Sequence, residues 1–320
     1  MYKIGIIDTM KDKGIELLMN YKNFDCEIVT DLSRENLLLK LPEFDGITLR
    51  RGKIDREILN KCNKLKVIAR HGVGYDSVDT ECLKEKAITL LVAHDSTSTS
   101  PAEHIMFMIM NIYKGVSMFD TMVRGGDFVN AIHLNIEKNF ELFNKTILIA
   151  GFGRIGKKLI KKCLGFDMKV LVFDPYVDGV TITSFGGAKV TTLEEGLKKA
   201  DILSLSLPLN SETKNFITLK EMRLMKKSSI IINAARGGVV NEEDLNNALD
   251  NNIIAFAGID VFEKEPPEIT NPLITNKKVV LSPHAATFTK EGLENMATET
   301  AQNIIDFFEN KIENNKIVKF

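Results

Sequence analysis

Residues 146–164 read TILIAGFGRIGKKLIKKCL: a short apolar run, glycines at 151, 153 and 156, and then an amphipathic stretch that begins at once. No other segment restricts the fold so strongly. A strand that halts at a G-x-G-x-x-G turn and leaves it as a helix opens a βαβ unit, and such units build parallel sheets with helices on their faces. The glycine positions also make chemical sense. Gly151 permits the tight turn, Gly153 lets backbone come close to a pyrophosphate, and Gly156 lets helix and strand pack together. The amides of Arg154 and Ile155 then face an anion at a helix N-terminus. A glycine-rich turn without a ligand is the competing reading, and the order strand, turn, helix speaks against it.

Asp174 stands 18 residues beyond Gly156, at the end of the next strand-like run, KVLVF. A carboxylate there suits ribose hydroxyls and repels a 2′-phosphate, and the following Pro175 and Tyr176 offer no arginine to receive one. The expected cofactor is NAD rather than NADP, unless Asp174 merely ends a strand ahead of Pro175.

The same β/α rhythm extends in both directions. KIGII (3–7), CEIV (26–29), GITL (46–49), KVIA (66–69) and AITLLV (87–92) precede the motif. KVLVF (169–173), DILSLSL (201–207), SIIIN (229–233), IAFAGID (254–260) and VVLS (279–282) follow it, and their near-continuous apolar character predicts burial on both faces. At 320 residues the chain suffices for two domains. After a Ser/Thr-rich break at 96–100, Pro101 opens a helical pattern that runs to Gly125 and Gly126, so one long helix is expected to join them. The run 290–310 again has helical spacing and is expected to return to the first domain.

Charge and cysteine usage exclude several classes of function. Lys+Arg 42 against Asp+Glu 43 leaves no basic excess, so nucleic acid is not an expected partner. The longest apolar stretch, 105–112, is broken by Asn111 and falls far short of the ~18 residues of a membrane span. The opening MYKIGIID is strand-like and not a leader. Cys26, Cys62, Cys82 and Cys163 form no C-x-x-C pair, which predicts reduced thiols in a cytoplasmic protein and no metal site.

Three residues in the last third of the chain stand out. Arg236 in NAARGGVVNEEDL, Glu265 in GIDVFEKEPP and His284 in LSPHAAT each follow a strand-like run, where open α/β sheets place their ligands. With RHGVGYDSVD (70–79), PAEH (101–104), GFGRIG (151–156), LPLNSETKNFI (207–217), NAARGG (233–238), GIDVFEKEP and SPHAA in that order, the chain resembles the D-isomer-specific 2-hydroxyacid dehydrogenases, within them the phosphoglycerate dehydrogenase-like group. The resemblance implies that Arg236, Glu265 and His284 are catalytic. It also implies that Gly151, Gly153, Arg154, Ile155, Gly156, Asp174, Pro208, Ala234 and Asp260 lie at the cofactor, and that a homodimer forms partly on the helix near 101–126.

The residue chemistry agrees with that assignment. Oxidising a 2-hydroxy acid needs a base for the hydroxyl proton, a cation for the carboxylate and a hydride acceptor. His284 can be the base, and the acid in reverse. Glu265 would orient its ring and favour the charged form. Arg236 offers a planar fork for the carboxylate and can polarise the carbonyl.

The remaining candidates are weaker. His71, His104 and His133 are read as making local hydrogen bonds. His94 lies in VAHDSTSTS, where the family usually has an Asn-x-Pro-like segment, a departure that bears on the hinge and the substrate fit. The stripe Met106, Met108, Met110 reads as helix packing or a subunit contact. Substrate contacts are expected from Arg50 and Arg51 and from the loop Gly72, Val73, Gly74. Either arginine could bind a phosphate or a second carboxylate, or the pair could be a solvated basic turn. Ending at Phe320, the chain is expected to lack the C-terminal regulatory domains of longer phosphoglycerate dehydrogenases, and so serine feedback through them.

The expected fold class is α/β, with two doubly wound parallel-sheet domains. Residues 99–288 form a Rossmann NAD-binding domain, and 1–98 with 289–320 form a discontinuous flavodoxin-like substrate domain, with the cleft between them. The expected function is NAD-dependent interconversion of a D-2-hydroxy acid and its 2-oxo acid. The alternatives are a glyoxylate or hydroxypyruvate reductase of the same family, and a non-enzymatic NAD-sensing protein like the family's corepressors.

Overall fold

In the computed structural model, which describes residues 1–93, 96, 98–134 and 139–319, the apolar runs become strands of two separate sheets. Contacts divide the chain into one unit of Met1–Ser98 with Thr287–Phe320 and a second of Thr99–Ala286.

The first unit holds β1 (Tyr2–Ile7), β2 (Phe24–Val29), β3 (Gly46–Leu49), β4 (Val67–Arg70) and β5 (Thr89–Val92). They pair in parallel in the order β2-β1-β3-β4-β5, the flavodoxin-like arrangement. Successive side chains of a strand point to opposite faces, and both faces are covered here. In β4, Val67 and Ala69 join the cluster that contains Ala297, Ala301 and Ile304 of the tail helix Lys290–Phe308, while Ile68 joins the opposite cluster. The tail helix packs beside the helix Asp12–Met19 in this unit.

The second unit holds β6 (Thr146–Ala150), β7 (Lys169–Phe173), β8 (Ala188–Lys189), β9 (Ile202–Leu205), β10 (Ile230–Asn233), β11 (Phe256–Ile259) and β12 (Val279–Leu281). Their order is β12-β11-β10-β9-β6-β7-β8, all parallel. Counted from β6, that is the 3-2-1-4-5-6 order of the Rossmann sheet with one further strand at the edge. Ile147 and Ile149 pack on one face and Leu148 and Ala150 on the other, which explains why TILIA carries no polar alternation. The two-residue β8 is exposed and too short to leave an apolar run in the sequence.

The single helix expected from Pro101 to Gly125 is instead two, with a short third helix beyond the glycine pair. Thr99–Lys114 ends at Gly115, whose left-handed φ of +64° breaks the helix, and Val116–Arg124 and Phe128–His133 follow. The apolar spacing continues across Gly115, so periodicity alone could not reveal the break; the cause is a residue that enters the left-handed region without a Cβ penalty. Met106 and Met108 are buried against the second unit's core and Met110 lies at its edge, so the methionine stripe is packing. By contrast, neither later helix buries any residue, and Val116, Met118, Val123, Phe128, Val129 and Ile132 stand exposed. Among the described residues no helix is long and apolar enough to cross a membrane.

Candidate active site

The glycine turn lies where the strand order reverses, between β6 and β9. Gly151 has φ +97°, and a Cβ there would stand 2.4 Å from the Ser206 carbonyl oxygen; one on Gly156 would stand 2.6 Å from the Gly151 carbonyl oxygen. Packing explains both. Gly153 differs, because nothing among the described residues lies within 4 Å of its Cβ position at the start of the helix Arg154–Leu164. That is the position at which a pyrophosphate needs close approach. Asp174 accepts hydrogen bonds from the amides of Phe152 (2.8 Å) and Tyr176 (2.9 Å), tying the turn to the end of β7. Each oxygen keeps a second lone pair for a ribose hydroxyl. Arg154 is exposed and Ile155 half-buried; Pro208 stands exposed after β9, and Ala234 is half-buried directly after β10. The residues present fit a dinucleotide.

Arg236 is placed by its own loop. Asn233, the last residue of β10, is buried to 2% exposure, and its side-chain amide donates to the Arg236 carbonyl (2.9 Å) while its oxygen accepts the Ala235 amide (3.1 Å). Sequence reasoning passed over this asparagine. Its signal was a polar residue closing an otherwise apolar strand, which must find partners to be buried. The Arg236 guanidinium is half-buried and donates to the Ala235 carbonyl at 2.6 Å. At Gly237 a Cβ would lie 1.8 Å from the Phe262 carbonyl oxygen, so the arginine loop and the loop after β11 touch backbone to backbone.

His284 and Glu265 meet across the ends of β11 and β12. Nδ1 of His284 lies 2.8 Å from Oε2 of Glu265, and Oε1 of Glu265 accepts the Phe262 amide at 3.1 Å. Burial pushes the Glu265 carboxyl up, but the hydrogen bond from His284, the Phe262 amide and the charges of His284 and Arg236 outweigh it and hold the group below the usual carboxylate range. With Nδ1 engaged, Nε2 is the ring atom left to exchange a proton. His284 has φ +54°, uncommon for a residue with a side chain. Glu265, Ser282 and His284 are the polar residues lining a cavity of about 410 Å³, whose other walls are Phe262, Ile274, Leu281 and neighbouring prolines.

Asp260 lies between these loops and is wholly buried. It accepts the amides of Ala285 (2.8 Å) and Ala286 (3.1 Å), and Nε2 of His104 lies 3.4 Å away. Burial alone would raise its pKa, yet His104, Ser282 and the Ala285 amide bring it down to about 2, so it is a buried anion at neutral pH.

Residues 106–286 match the family described as "D-isomer specific 2-hydroxyacid dehydrogenase, NAD binding domain". The chain belongs to this family. It is 35% identical over 305 residues to a D-3-phosphoglycerate dehydrogenase of Methanocaldococcus jannaschii, covering 95% of this chain and 57% of that one. It is 34% identical over 324 residues to a glyoxylate reductase of Thermococcus litoralis, covering 99% and 97%. The chain thus spans little more than half of the phosphoglycerate dehydrogenase and nearly the whole of the reductase. Among solved structures, an acyclic imino acid reductase in complex with NADPH and D-Arg superposes with a TM-score of 0.88 at 26% identity, over 99% of this chain and 100% of that one.

In this member of the family the other sequence candidates fall in the first unit or outside the site. Arg51 pairs with the buried Asp8 (2.6 Å), and Arg50 lies 3.8 Å from the same carboxylate and donates to the Thr9 carbonyl, so neither is simply a solvated turn. Arg70, not singled out from sequence, donates to the carbonyls of Leu49, Arg50 and Gly74 and stitches the Gly72–Gly74 loop to β3. Val73 is exposed, and Gly72 has φ +124°. His71 was expected to make local hydrogen bonds; its Nε2 is buried with no hydrogen-bond partner among the described residues, and burial and the charge of Arg50 lower its pKa to about 4. His104 was expected to bond locally too; its Nε2 approaches Asp260 at 3.4 Å and has no hydrogen-bond partner among the described residues, and His133 is exposed at a helix end. His94 lies outside the described residues. No group of three or more His, Cys, Asp or Glu residues among those described is placed to hold a metal.

Proposed function

We propose that this protein moves a hydride between C2 of a D-2-hydroxy acid and NAD, in the manner of the phosphoglycerate dehydrogenase-like group. The observation that carries the reading is the 2.8 Å His284–Glu265 pair beside the Arg236 loop, on the unit that holds the dinucleotide motif. When bound, NAD supplies the hydride acceptor. Gly151, Gly153, Gly156 and the amides of Arg154 and Ile155 would hold its pyrophosphate, Asp174 its ribose, and Pro208 and Ala234 its flank. Nε2 of His284 takes the hydroxyl proton in oxidation and returns it in reduction. The Glu265 carboxylate fixes the ring through Nδ1 and balances the charge that the ring gains. Arg236 grips the substrate carboxylate and draws charge onto the carbonyl oxygen.

The proposal extends to the first unit as the substrate domain, with Gly72, Val73 and Gly74 offering backbone to the acid and Arg50 or Arg51 reading a distal group. A glyoxylate or hydroxypyruvate reductase is the second reading, favoured by the near full-length match to a glyoxylate reductase. Further parts of the proposal are a cytoplasmic location and a homodimer that covers the exposed apolar side chains of Val116–Arg124 and Phe128–His133, helices that bury nothing in the single chain. A panel of 2-oxo acids with NADH, followed by loss of NADH absorbance, tests the whole reading. Turnover of any member supports it; NADH binding without turnover of any would favour the NAD-sensing alternative.

Asp174 sets the cofactor. NAD is expected to be preferred over NADP by at least ~10-fold in kcat/KM, about 1.4 kcal/mol, because a carboxylate that serves ribose hydroxyls repels a 2′-phosphate. Asp174→Ala should narrow the gap, although losing the Phe152 bond will also loosen the turn. Equal kcat/KM with both cofactors in the unaltered protein would refute the assignment.

A second expectation concerns pH. Attraction between Glu265 and the charged ring is shared by both partners, so Glu265→Gln withdraws support from the imidazolium. Oxidation needs the neutral ring, and its acidic limb should move to lower pH. Reduction needs the charged ring, and its alkaline limb should move the same way. Profiles of kcat/KM against pH in both directions check this, and limbs that stay in place or move upward count against the pairing.

A further inference from the structure

The loop that carries Glu265 leaves the core at Phe262 and returns to it at Leu273, both buried, while residues 263–266 between them are exposed. A loop with so little packing is held by its hydrogen bonds. Both ends of this one reach a single side chain. Oε1 of Glu242 accepts the Glu263 amide at 2.6 Å, and Oε2 of Glu242 accepts the side-chain amide of Asn271 at 2.6 Å. In return the Glu242 amide donates to the Glu263 carboxylate at 3.2 Å. Asn271 is fixed from its other side as well, where its oxygen caps the short helix Pro272–Thr275 by accepting the Leu273 amide at 3.0 Å.

Glu242 opens the helix Glu242–Asp250, and an acidic residue in a first turn commonly serves the helix dipole alone. Here the helix has its cap already. Asn241 fills that place by accepting the Asp244 amide at 2.9 Å, and the Glu242 side chain turns away to the other loop. The backbone that leads from Arg236 to Glu242 is itself pinned: the amides of Asn215 and Ile217 donate to the carbonyls of Gly238 (2.7 Å) and Val239 (3.1 Å), and the Asn241 amide donates to the Ile217 carbonyl (3.0 Å). Glu242 is therefore a fixed post on the arginine side of the site.

We propose that Glu242 is the positioning residue of Glu265. By gripping both ends of the 263–271 loop it keeps that carboxylate at Nδ1 of His284 and ties it to the segment that bears Arg236. The inference rests on the reading of His284 and Glu265 as the proton-transfer pair. Glu242→Gln keeps the volume but offers one oxygen, so its NH2 group must face either the Glu263 amide or the Asn271 amide. Asn271→Asp loses the donor and keeps the oxygen that caps Leu273. In the double variant the new amide donates to the new carboxylate while its oxygen takes the Glu263 amide, so both ties return with donor and acceptor exchanged. Loss of a surface charge alone would not be rescued in this way.

The test compares the full unaltered chain, both single variants and the double variant. It follows kcat and kcat/KM against pH in both directions, NADH affinity by calorimetry, melting temperature, and the His284 ring by proton NMR without cofactor. Five histidines make assignment by comparison with His284→Ala practical. In each single variant we expect kcat to fall at least ~5-fold with NADH affinity kept within ~3-fold. Both limbs of the pH profile should move to lower pH, the direction of Glu265→Gln, and the His284 resonance should shift or broaden. The double variant should return to within ~3-fold of the unaltered kcat, because the two lesions are coupled and not additive. Limbs and resonance that stay in place, whatever the melting temperature, would make Glu242 merely structural and overturn the proposal. A double variant no better than the worse single one would do the same. If Glu242→Gln does not fold, Asn271→Asp carries the pH and NMR readouts. Should the unaltered protein turn over no 2-oxo acid, the reading of the function fails, while the NMR comparison still decides whether Glu242 holds the pair.

Discussion

His284→Ala is expected to lower kcat/KM on the order of 10²–10⁴-fold at every pH, in oxidation and in reduction alike. The geometry leaves little around the ring to replace it. Glu265 is already bonded to Nδ1, Asp260 is sealed by two backbone amides, and an arginine such as Arg236 cannot be deprotonated in a protein. A pH-independent loss sets this variant apart from Glu265→Gln, which retains an imidazole and moves the limbs of the profile. NADH affinity should be largely preserved, because His284 stands on the loop after β12 and the dinucleotide turn follows β6. Titration of NADH together with steady-state rates checks both halves. A variant within a few-fold of the unaltered protein would remove His284 from the mechanism.

Arg236→Lys is the other severe lesion, despite keeping the charge. A loss of kcat/KM on the order of 10²-fold or more is expected, since an ammonium is a point charge and cannot offer two parallel N–H groups to a carboxylate. The local structure sharpens the contrast. Arg236 holds its guanidinium by donating to the Ala235 carbonyl, and Asn233 holds the loop from beneath. Lysine inherits the loop but not the planar fork. Steady-state kinetics on the best substrate decides the point, and near-normal activity would leave Arg236 with a structural role only.

What was legible in the sequence follows a physical division. Periodicity reveals burial, so TILIA and KVLVF could be read to the residue as β6 and β7, and the glycine spacing announced a turn whose steric demands the structure bears out at Gly151 and Gly156. Left-handed backbone hides from periodicity, and the helix break at Gly115 was invisible because apolar residues recur at helical spacing on both sides of it. The chemical side chains stood out by their place at strand ends, and Glu265 and His284 do meet. The support beneath them did not stand out. Asn233 was passed over as the end of a strand although its partners lie two and three residues on, and His104 was read as locally bonded because its neighbour Asp260 comes far later in the chain.

The contact at Gly237 reaches beyond local packing. With a Cβ position 1.8 Å from the Phe262 carbonyl oxygen, the segment bearing Arg236 and the segment leading to Glu265 are pressed together with no side chain between them. They behave as one mechanical part. Any residue other than glycine would wedge the two apart, displacing Arg236 and Glu265 in a single step. Neither segment can be lengthened, grafted or redesigned alone. Any redesign of the arginine loop must therefore carry residues 262–265 with it.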